Sequence, residues 1–362
     1  MEKKKVLFVY RYSALKNIIS GDGQVSGPTE FLWGMNFLDK EKFEIRWVNA
    51  PRTEKRTGIR KLTWFLEFPF GKFIKIGLPI EIPYLFKKEI EWADEIICVN
   101  DPISLGILFS RFFGKFKKKK IYCIIMSLQE RIKYFNWFKP AVWFVSKLLN
   151  KADSLIILSD FVRGDFVYDY KIIREKVKTM YFGIDINFWK HDPEVKSEDF
   201  ILSIGNDMNR DFQTLVRALP ENIKLKIITK KNVDIKDKSI EILSGISDED
   251  LRELYNKSLF VVVPSIKLKN ESSGLSSALQ GMACGRPVIL SDAPPMRELF
   301  IDNEDCLFYE PENDKDLANK MKSLLENEAL REKIAKSGYK KTVENYTCKN
   351  MGKRLEYILL ND

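Results

Sequence analysis

A short apolar strand, a small-residue loop and a helix-spaced segment recur along the chain, and this order starts afresh after a polar break at residues 183–199. Before the break the strands are Val6–Tyr10, Phe43–Val48, Ile96–Val99, Lys120–Met126, Ser154–Leu158 and Val177–Tyr181. After it come Phe200–Ile204, Lys224–Thr229, Leu259–Pro264 and Pro287–Ser291. Helical spacing is read at 29–38, 137–149, 211–219, 248–256, 276–284, 314–328 and 344–360. Short strands that are apolar throughout belong inside parallel sheets covered on both faces by helices. The expected fold is therefore α/β, with two doubly wound, Rossmann-like domains facing each other across a cleft. Ligands of such sheets bind outside the carboxyl ends of the strands.

The chain has 362 residues, 45% hydrophobic and 31% charged, which suits two ordinary globular domains. It has no apolar run of about 18 residues, the length a spanning helix needs. Met1–Lys5 leads straight into the first strand with no cleavage-site pattern, so the expected location is cytoplasmic. The five cysteines (Cys98, Cys123, Cys284, Cys306, Cys348) are scattered and contain no CxxC pair, against a zinc site or a disulfide framework. A single histidine, His191 in the polar break, leaves little room for a Ser-His-Asp mechanism. The net charge of +9 is concentrated in residues 52–88, with nine basic and three acidic side chains, and in residues 111–120, with six basic and no acidic ones. Such patches suit an acidic surface or are simply solvated lysines.

The segment from Val263 to Ile289 carries most of the chemistry. A buried strand ends at Pro264-Ser265, a loop with one carboxylate runs through Asn270-Glu271-Ser272-Ser273-Gly274-Leu275, and a helix begins near Ser276. Helix N-termini present unpaired N–H groups and a positive dipole end, and Gly274 allows close backbone approach. This is a place for an anionic or hydroxyl-rich ligand. After strand 200–204, Gly205 and Asn206 precede Arg210, by itself an ordinary surface base at a helix start. Lys230 and Lys231 follow the next strand.

These segments resemble family 4 glycosyltransferases of the GT-B fold over most of the chain. The resemblance is carried by Pro264-Ser265, Glu271 and Gly274, and by Gln280-Gly281-Met282-Ala283-Cys284-Gly285-Arg286-Pro287-Val288-Ile289. Tyr181-Phe182-Gly183-Ile184-Asp185 with Phe188, Ile204-Gly205 with Arg210-Asp211-Phe212, and Ser159 with Arg163 agree in order. The resemblance implies a retaining, metal-independent transferase without a cofactor, in which a nucleotide-sugar is the donor substrate. It implies that Arg210 and Lys230 meet the donor diphosphate and that Glu271 orients the sugar. Gly205, Asn206, Ser273, Gly274 and Leu275 would line the donor, and Gln280 would contact the ribose. Gly27, in Ser26-Gly27-Pro28-Thr29, matches the family's Gly-rich loop through Gly21 and Gly23, or is an ordinary tight turn. Two departures stand out. Gln280 replaces the family's second Glu, with Glu271 nine positions before it rather than eight. Ser127-Leu128-Gln129-Glu130 stands where the family carries a histidine.

The expected division is an acceptor-side domain at 1–183, a donor-side domain at 184–343, and a C-terminal helix at 344–362 packing back on the first. Trp64, Phe65, Phe68, Phe70 and Phe73 mix with Arg60, Lys61, Lys72 and Lys75, and Trp137 and Trp143 lie near Arg131, Lys133 and Lys139. Aromatic rings beside lysine stems fit either a peripheral site on an anionic inner-membrane face or an aromatic core under solvated lysines. The acceptor expected is a glycan or a lipid-linked molecule. No nucleic-acid recognition module is visible. The competing reading is a non-catalytic nucleotide-sugar-binding protein.

Overall fold

The computed structural model describes residues 2–11, 26–50, 67–68, 70–72, 75–233 and 238–362. The chain forms two compact units, Met1–Tyr181 with Met351–Asp362, and Phe182–Asn350. Each is an α/β unit around a six-stranded sheet that is parallel throughout.

In unit 1 the strands are β1 (Lys4–Tyr10), β2 (Phe43–Asn49), β3 (Glu95–Val99), β4 (Lys120–Ile125), β5 (Ser154–Ile157) and β6 (Val177–Thr179). Their order is β2-β1-β3-β4-β5-β6, with the topological switch between β1 and β3. Val6–Tyr10 and Ile96–Cys98 are wholly buried, as continuous apolar strands covered on both faces must be. The main covering helices are α1 (Asp101–Phe112), α2 (Lys139–Leu149) and α3 (Arg163–Tyr170). The Asn100 side chain caps α1 by accepting the Ile103 N–H at 3.1 Å, and Pro102 sits in the first turn, where its missing N–H costs nothing. This helix, absent from the sequence reading, begins at Asn100-Asp101-Pro102 directly after β3.

The helix expected over 29–38 is not continuous. Two 3₁₀ turns, Glu30–Leu32 and Met35–Phe37, are separated by Trp33 and Gly34, both left-handed at φ 54° and 82°. Gly34 lies where a Cβ would come within 2.7 Å of Gly352 Cα, so backbone meets backbone there. Gly352 belongs to the C-terminal helix α9 (Cys348–Asn361). Within unit 1 this helix is held by Lys42–Glu356 at 2.7 Å, by Lys4 Nζ donating to Leu359 O at 2.7 Å, and by Lys178–Asp362 at 2.9 Å. Lys4 also pairs with buried Glu95 at 3.0 Å. Gly352→Ala would put a Cβ 2.5 Å from Phe37 Cβ and 3.1 Å from Gly34 O. Overpacking of this kind costs about 1–3 kcal/mol, so a lowered midpoint in thermal unfolding is expected, with no change in donor affinity.

Unit 2 contains β7 (Phe200–Ile204), β8 (Lys224–Ile228), β9 (Ile240–Leu243), β10 (Phe260–Val263), β11 (Val288–Ser291) and β12 (Leu307–Tyr309), ordered β12-β11-β10-β7-β8-β9. The helices used below are α4 (Phe212–Ala218), α5 (Asp248–Lys257), α6 (Leu275–Ala283), α7 (Asp314–Glu326) and α8 (Glu328–Asn345). Strands β9 and β12 and helix α8 add to the sequence reading. At β9 every residue is exposed or half-buried, so the buried apolar pattern that marks the inner strands is missing. Gly285, just past α6, has φ 71°, the left-handed stop its position suggests. The switch point of this sheet lies between β7 and β10. A crevice opens there because the crossovers leave the two strands in opposite directions.

Candidate functional site

The loops leaving β7 and β10 are joined to each other. Arg210 and Ser265 form an antiparallel bridge, Ile266 N–H donates to Asn209 O at 2.9 Å, and Asp211 N–H donates to Pro264 O at 3.3 Å. Asp211 then caps α4 by accepting from Thr214 N at 3.0 Å. The loop after β8 is tied in as well. Thr229 Oγ1 donates to Gly205 O at 2.7 Å, and Asn206 Oδ1 accepts the Lys230 N–H at 2.6 Å. Ser291 draws in the next strand, its Oγ accepting Ser265 N–H at 2.7 Å and lying 2.7 Å from the Tyr309 hydroxyl.

Arg210 is the centre of this arrangement. The sequence alone offered a surface base, but the side chain is folded inward and only 6% exposed. Its Nε donates to Ile204 O at 3.0 Å, and its two terminal nitrogens reach Ser273 Oγ at 3.1 Å and Ser277 Oγ at 3.5 Å. Asp207 pairs with it at 3.3 Å and also accepts the Ser273 hydroxyl at 2.8 Å. Burial lowers the guanidinium pKa, while Asp207, and more weakly Glu271, pull it back up. Both carboxylates therefore act on this cation.

The two glycines of the site are explained by Arg210. A Cβ on Gly205 would fall on Arg210 Nε. One on Gly274, whose φ is 90°, would collide with Val263 Cγ1 and sit 2.7 Å from an Arg210 nitrogen. The close approach anticipated at Gly274 is thus an approach to the buried arginine. Gly274 also caps α6, so the helix starts directly beside the guanidinium. Leu275 is buried at its first position, and its N–H donates to Ser272 O at 3.2 Å.

The other predicted residues fall around this point with different exposure. Glu271 is half-buried on the loop before α6. Lys230 is exposed, while its neighbour Lys231 is half-buried and donates from Nζ to Arg210 O at 3.1 Å. Gln280 lies one to two turns along α6, 7% exposed, with its Oε1 accepting the Tyr255 hydroxyl at 3.1 Å. Asp207, Ser277 and Tyr255 were absent from the sequence reading. Asp207 was legible as a carboxylate three residues before Arg210; Tyr255, on α5, has no local signal. Arg163 proves to be structural, donating to Val177 O and Thr179 Oγ1 at 2.7 and 2.6 Å.

In unit 1, Gly27 is half-buried with φ 87°, which favours glycine. Gly21 and Gly23, like Arg60, Lys61, Trp64, Phe65 and Phe73, lie outside the described residues. The segment after β4 is closed by Asp101, which accepts Met126 N–H, Ser127 N–H and Ser127 Oγ–H at 2.9–3.0 Å. Gln129 is buried there, its Nε2 donating to Met126 O at 3.0 Å. Of the aromatic cluster, Phe135 is wholly buried and Phe144 packs against Phe70, Phe109 and Phe112. Trp137 and Trp143 are exposed. Among the described residues no three His, Cys, Asp or Glu side chains gather as metal ligands, and no helix is long and apolar enough to cross a membrane.

Residues 224–341 match the family model described as "Glycosyl transferases group 1". An uncharacterized glycosyltransferase of Methanocaldococcus jannaschii is 34% identical over 169 residues, 46% of either chain, so the chain spans about half the length of that relative. A Campylobacter jejuni N-acetylgalactosamine-N,N'-diacetylbacillosaminyl-diphospho-undecaprenol 4-alpha-N-acetylgalactosaminyltransferase is 25% identical over 73% of this chain and 76% of its own. Anabaena HepE, solved in complex with UDP and glucose, superposes with a TM-score of 0.70 at 13% identity, covering 99% of this chain and 100% of its own. The chain therefore has the GT-B fold, and its segment 224–341 is similar to group 1 glycosyl transferases.

Proposed function

We propose that the protein is a glycosyltransferase that moves a sugar from a nucleotide-sugar donor with retention of anomeric configuration and without a metal ion. The observation that carries this reading is the charged Arg210, buried at the switch point of unit 2 beside the start of α6. A departing nucleoside diphosphate gathers negative charge, and a preoriented cation next to a helix N-terminus stabilises it without reorganising. Arg210 supplies this field from beneath the loop surface, and the exposed Lys230 is the second cation. Glu271 takes the role of orienting the sugar and steadying positive charge at its anomeric carbon. Gly205, Asn206, Ser273, Gly274 and Leu275 form the donor-binding floor and Gln280 the ribose contact, and Gly27 is proposed to bind the donor through its backbone. The UDP complex of HepE and the family match over 224–341 support the choice of donor.

The acceptor proposed is a glycan or a lipid-linked molecule, reached by peripheral contact of unit 1 with an anionic membrane. Support comes from the exposed Trp137 and Trp143 among lysines, and from the C. jejuni relative, whose name specifies a diphospho-undecaprenol acceptor.

The test is donor hydrolysis with UDP-, GDP- and ADP-sugars, alone and in EDTA, with the anomer of the product followed by NMR. One donor should turn over with retention, unaffected by EDTA. Glu271→Ala should lower kcat about 10²-fold with little change in unfolding midpoint, because the side chain is half-buried on a loop. The competing reading of a non-catalytic binder is motivated by Gln280 in place of the family's second Glu and by its nine-residue spacing from Glu271. Tight donor binding with no turnover would establish that reading, and no binding of any donor would overturn both.

A further inference from the structure

The N-terminal ends of β5 and β6 border an open depression of about 660 Å³ in unit 1. It is lined by Arg111 and Phe113 from the end of α1, by Lys117, Lys151 and Lys176, and by a single carboxylate, Asp153. We propose that this depression receives the phosphate of an anionic lipid headgroup, with Phe113 entering the bilayer interface beside it. The inference rests on the membrane reading of unit 1 given above and is independent of the transfer chemistry.

Asp153 is already committed. Its carboxylate accepts Arg111 at 2.5 and 3.3 Å and the Ile121 N–H at 2.7 Å. Lys117, Lys151 and Lys176 have no ion-pair partner among the described residues, so three positive charges face the depression uncompensated. Lys176 is fixed in place by donating to Asn150 O at 2.9 Å and Ala152 O at 2.8 Å, which leaves the third proton of its ammonium for a ligand. Burial lowers the Lys176 pKa, and Arg111 and Lys151 push it the same way against the pull of Asp153. A phosphate would relieve that repulsion and gather charge-assisted hydrogen bonds. Lys119, in the same basic run, does not contribute: its Nζ caps Glu91 O and Ala93 O.

The rim favours a lipid over a soluble phosphate. Phe113 is 67% exposed, and along the outer face of α2 Lys139, Trp143 and Lys147 follow at four-residue spacing, with Lys151 one step beyond the helix. Lys147 lies over the Trp143 ring at 5.9 Å. A second depression, sharing Gly114 and Lys117 with the first, holds Tyr84 with Lys115 over its ring at 3.9 Å. Exposed rings with lysine stems around them suit the headgroup layer, where one end of the side chain is wet and the other apolar. The depression itself lies at the end of the sheet opposite to the carboxyl ends of its strands, away from where sheets of this kind bind substrates.

The test is co-sedimentation with phosphatidylcholine vesicles, with and without phosphatidic acid, for the wild type, Lys117→Ala/Lys151→Ala and Phe113→Ser. The two lysines are exposed and hold no backbone group, so the double variant should fold. Wild type should bind only the vesicles with phosphatidic acid. The double variant should bind them about 25-fold more weakly, about fivefold for each lysine removed. Phe113→Ser should weaken vesicle binding while leaving calorimetric binding of inorganic phosphate, measured with UDP filling the donor site, unchanged. Equal binding of both vesicle types, or a double variant that binds like wild type, would overturn the proposal. Binding of inorganic phosphate under those conditions, lost in the double variant, without any vesicle binding would overturn the lipid as its source. Donor hydrolysis by the double variant in detergent should match wild type, so a failure here and a failure of the transferase reading are read on separate assays.

Discussion

Replacing Arg210 by methionine should abolish most donor turnover, lowering kcat/KM by about 10²–10³-fold, and should also lower the unfolding midpoint. The two effects have different causes. Removing the guanidinium takes one donor from Ile204 O, Ser273 Oγ and Ser277 Oγ and the ion-pair partner from Asp207. Unsatisfied buried acceptors cost about 1–3 kcal/mol each in the worst case, so a loss of stability alone would not identify a functional charge. Arg210→Lys separates the terms. A lysine cannot make the three-way contact of the planar fork, so it should destabilise almost as much as methionine, yet it keeps the positive charge. The expected result is UDP affinity within about tenfold of wild type for Arg210→Lys, and a far larger loss for Arg210→Met at similar melting temperatures. Calorimetric UDP binding beside thermal unfolding reads both quantities. Equal loss of affinity in the two variants would reduce Arg210 to a structural pin.

That arginine also shows where sequence reading succeeds and where it stops. The resemblance to family 4 glycosyltransferases marked it as a candidate, whereas its position after Gly205-Asn206 by itself gave an ordinary surface base. Its burial was not legible, since a charged residue at a helix start is normally solvated and the partners that hold it come from 63 and 67 residues further along the chain. Local pattern carries no information about contacts of that separation. The same limit applies to Tyr255, whose hydroxyl meets Gln280 from another helix. Buried parallel strands such as Val6–Tyr10 and Val261–Val263 were readable because burial on both faces leaves an uninterrupted apolar run. The edge strand β9 was not, having no face fully buried. At 29–38 the spacing suggested one helix, but the left-handed Trp33 and the Gly34–Gly352 contact break it into two turns. There tertiary packing overrode a local preference, which is the usual outcome where two backbones meet.

Three glycine-to-alanine variants should separate backbone strain from the displacement of Arg210. Gly245 has φ 71° and nothing within 4 Å of an added Cβ, so Gly245→Ala carries the left-handed backbone cost alone, about 1–2 kcal/mol. Gly205 does not have a positive φ, so alanine is acceptable to its backbone, but its Cβ would occupy the position of Arg210 Nε. That nitrogen belongs to a fixed side chain bonded to Ile204 O, not to a free end that can swing away. Gly205→Ala should therefore cost about 1–3 kcal/mol and lose donor turnover nearly as fully as Arg210→Met. Gly274→Ala combines both terms, a φ of 90° and collisions with Val263 and Arg210, and should be the least stable of the three. It should also detach the start of α6 from the guanidinium, so its UDP affinity should fall with its melting temperature. Turnover by Gly205→Ala close to that of Gly245→Ala would show that Arg210 can leave its pocket without consequence, and the buried-cation mechanism would then fail. Loss of turnover in Gly205→Ala with full activity in Gly245→Ala would place the functional requirement at Gly205, where the added Cβ meets Arg210 and the donor-binding floor, and not on left-handed backbone strain.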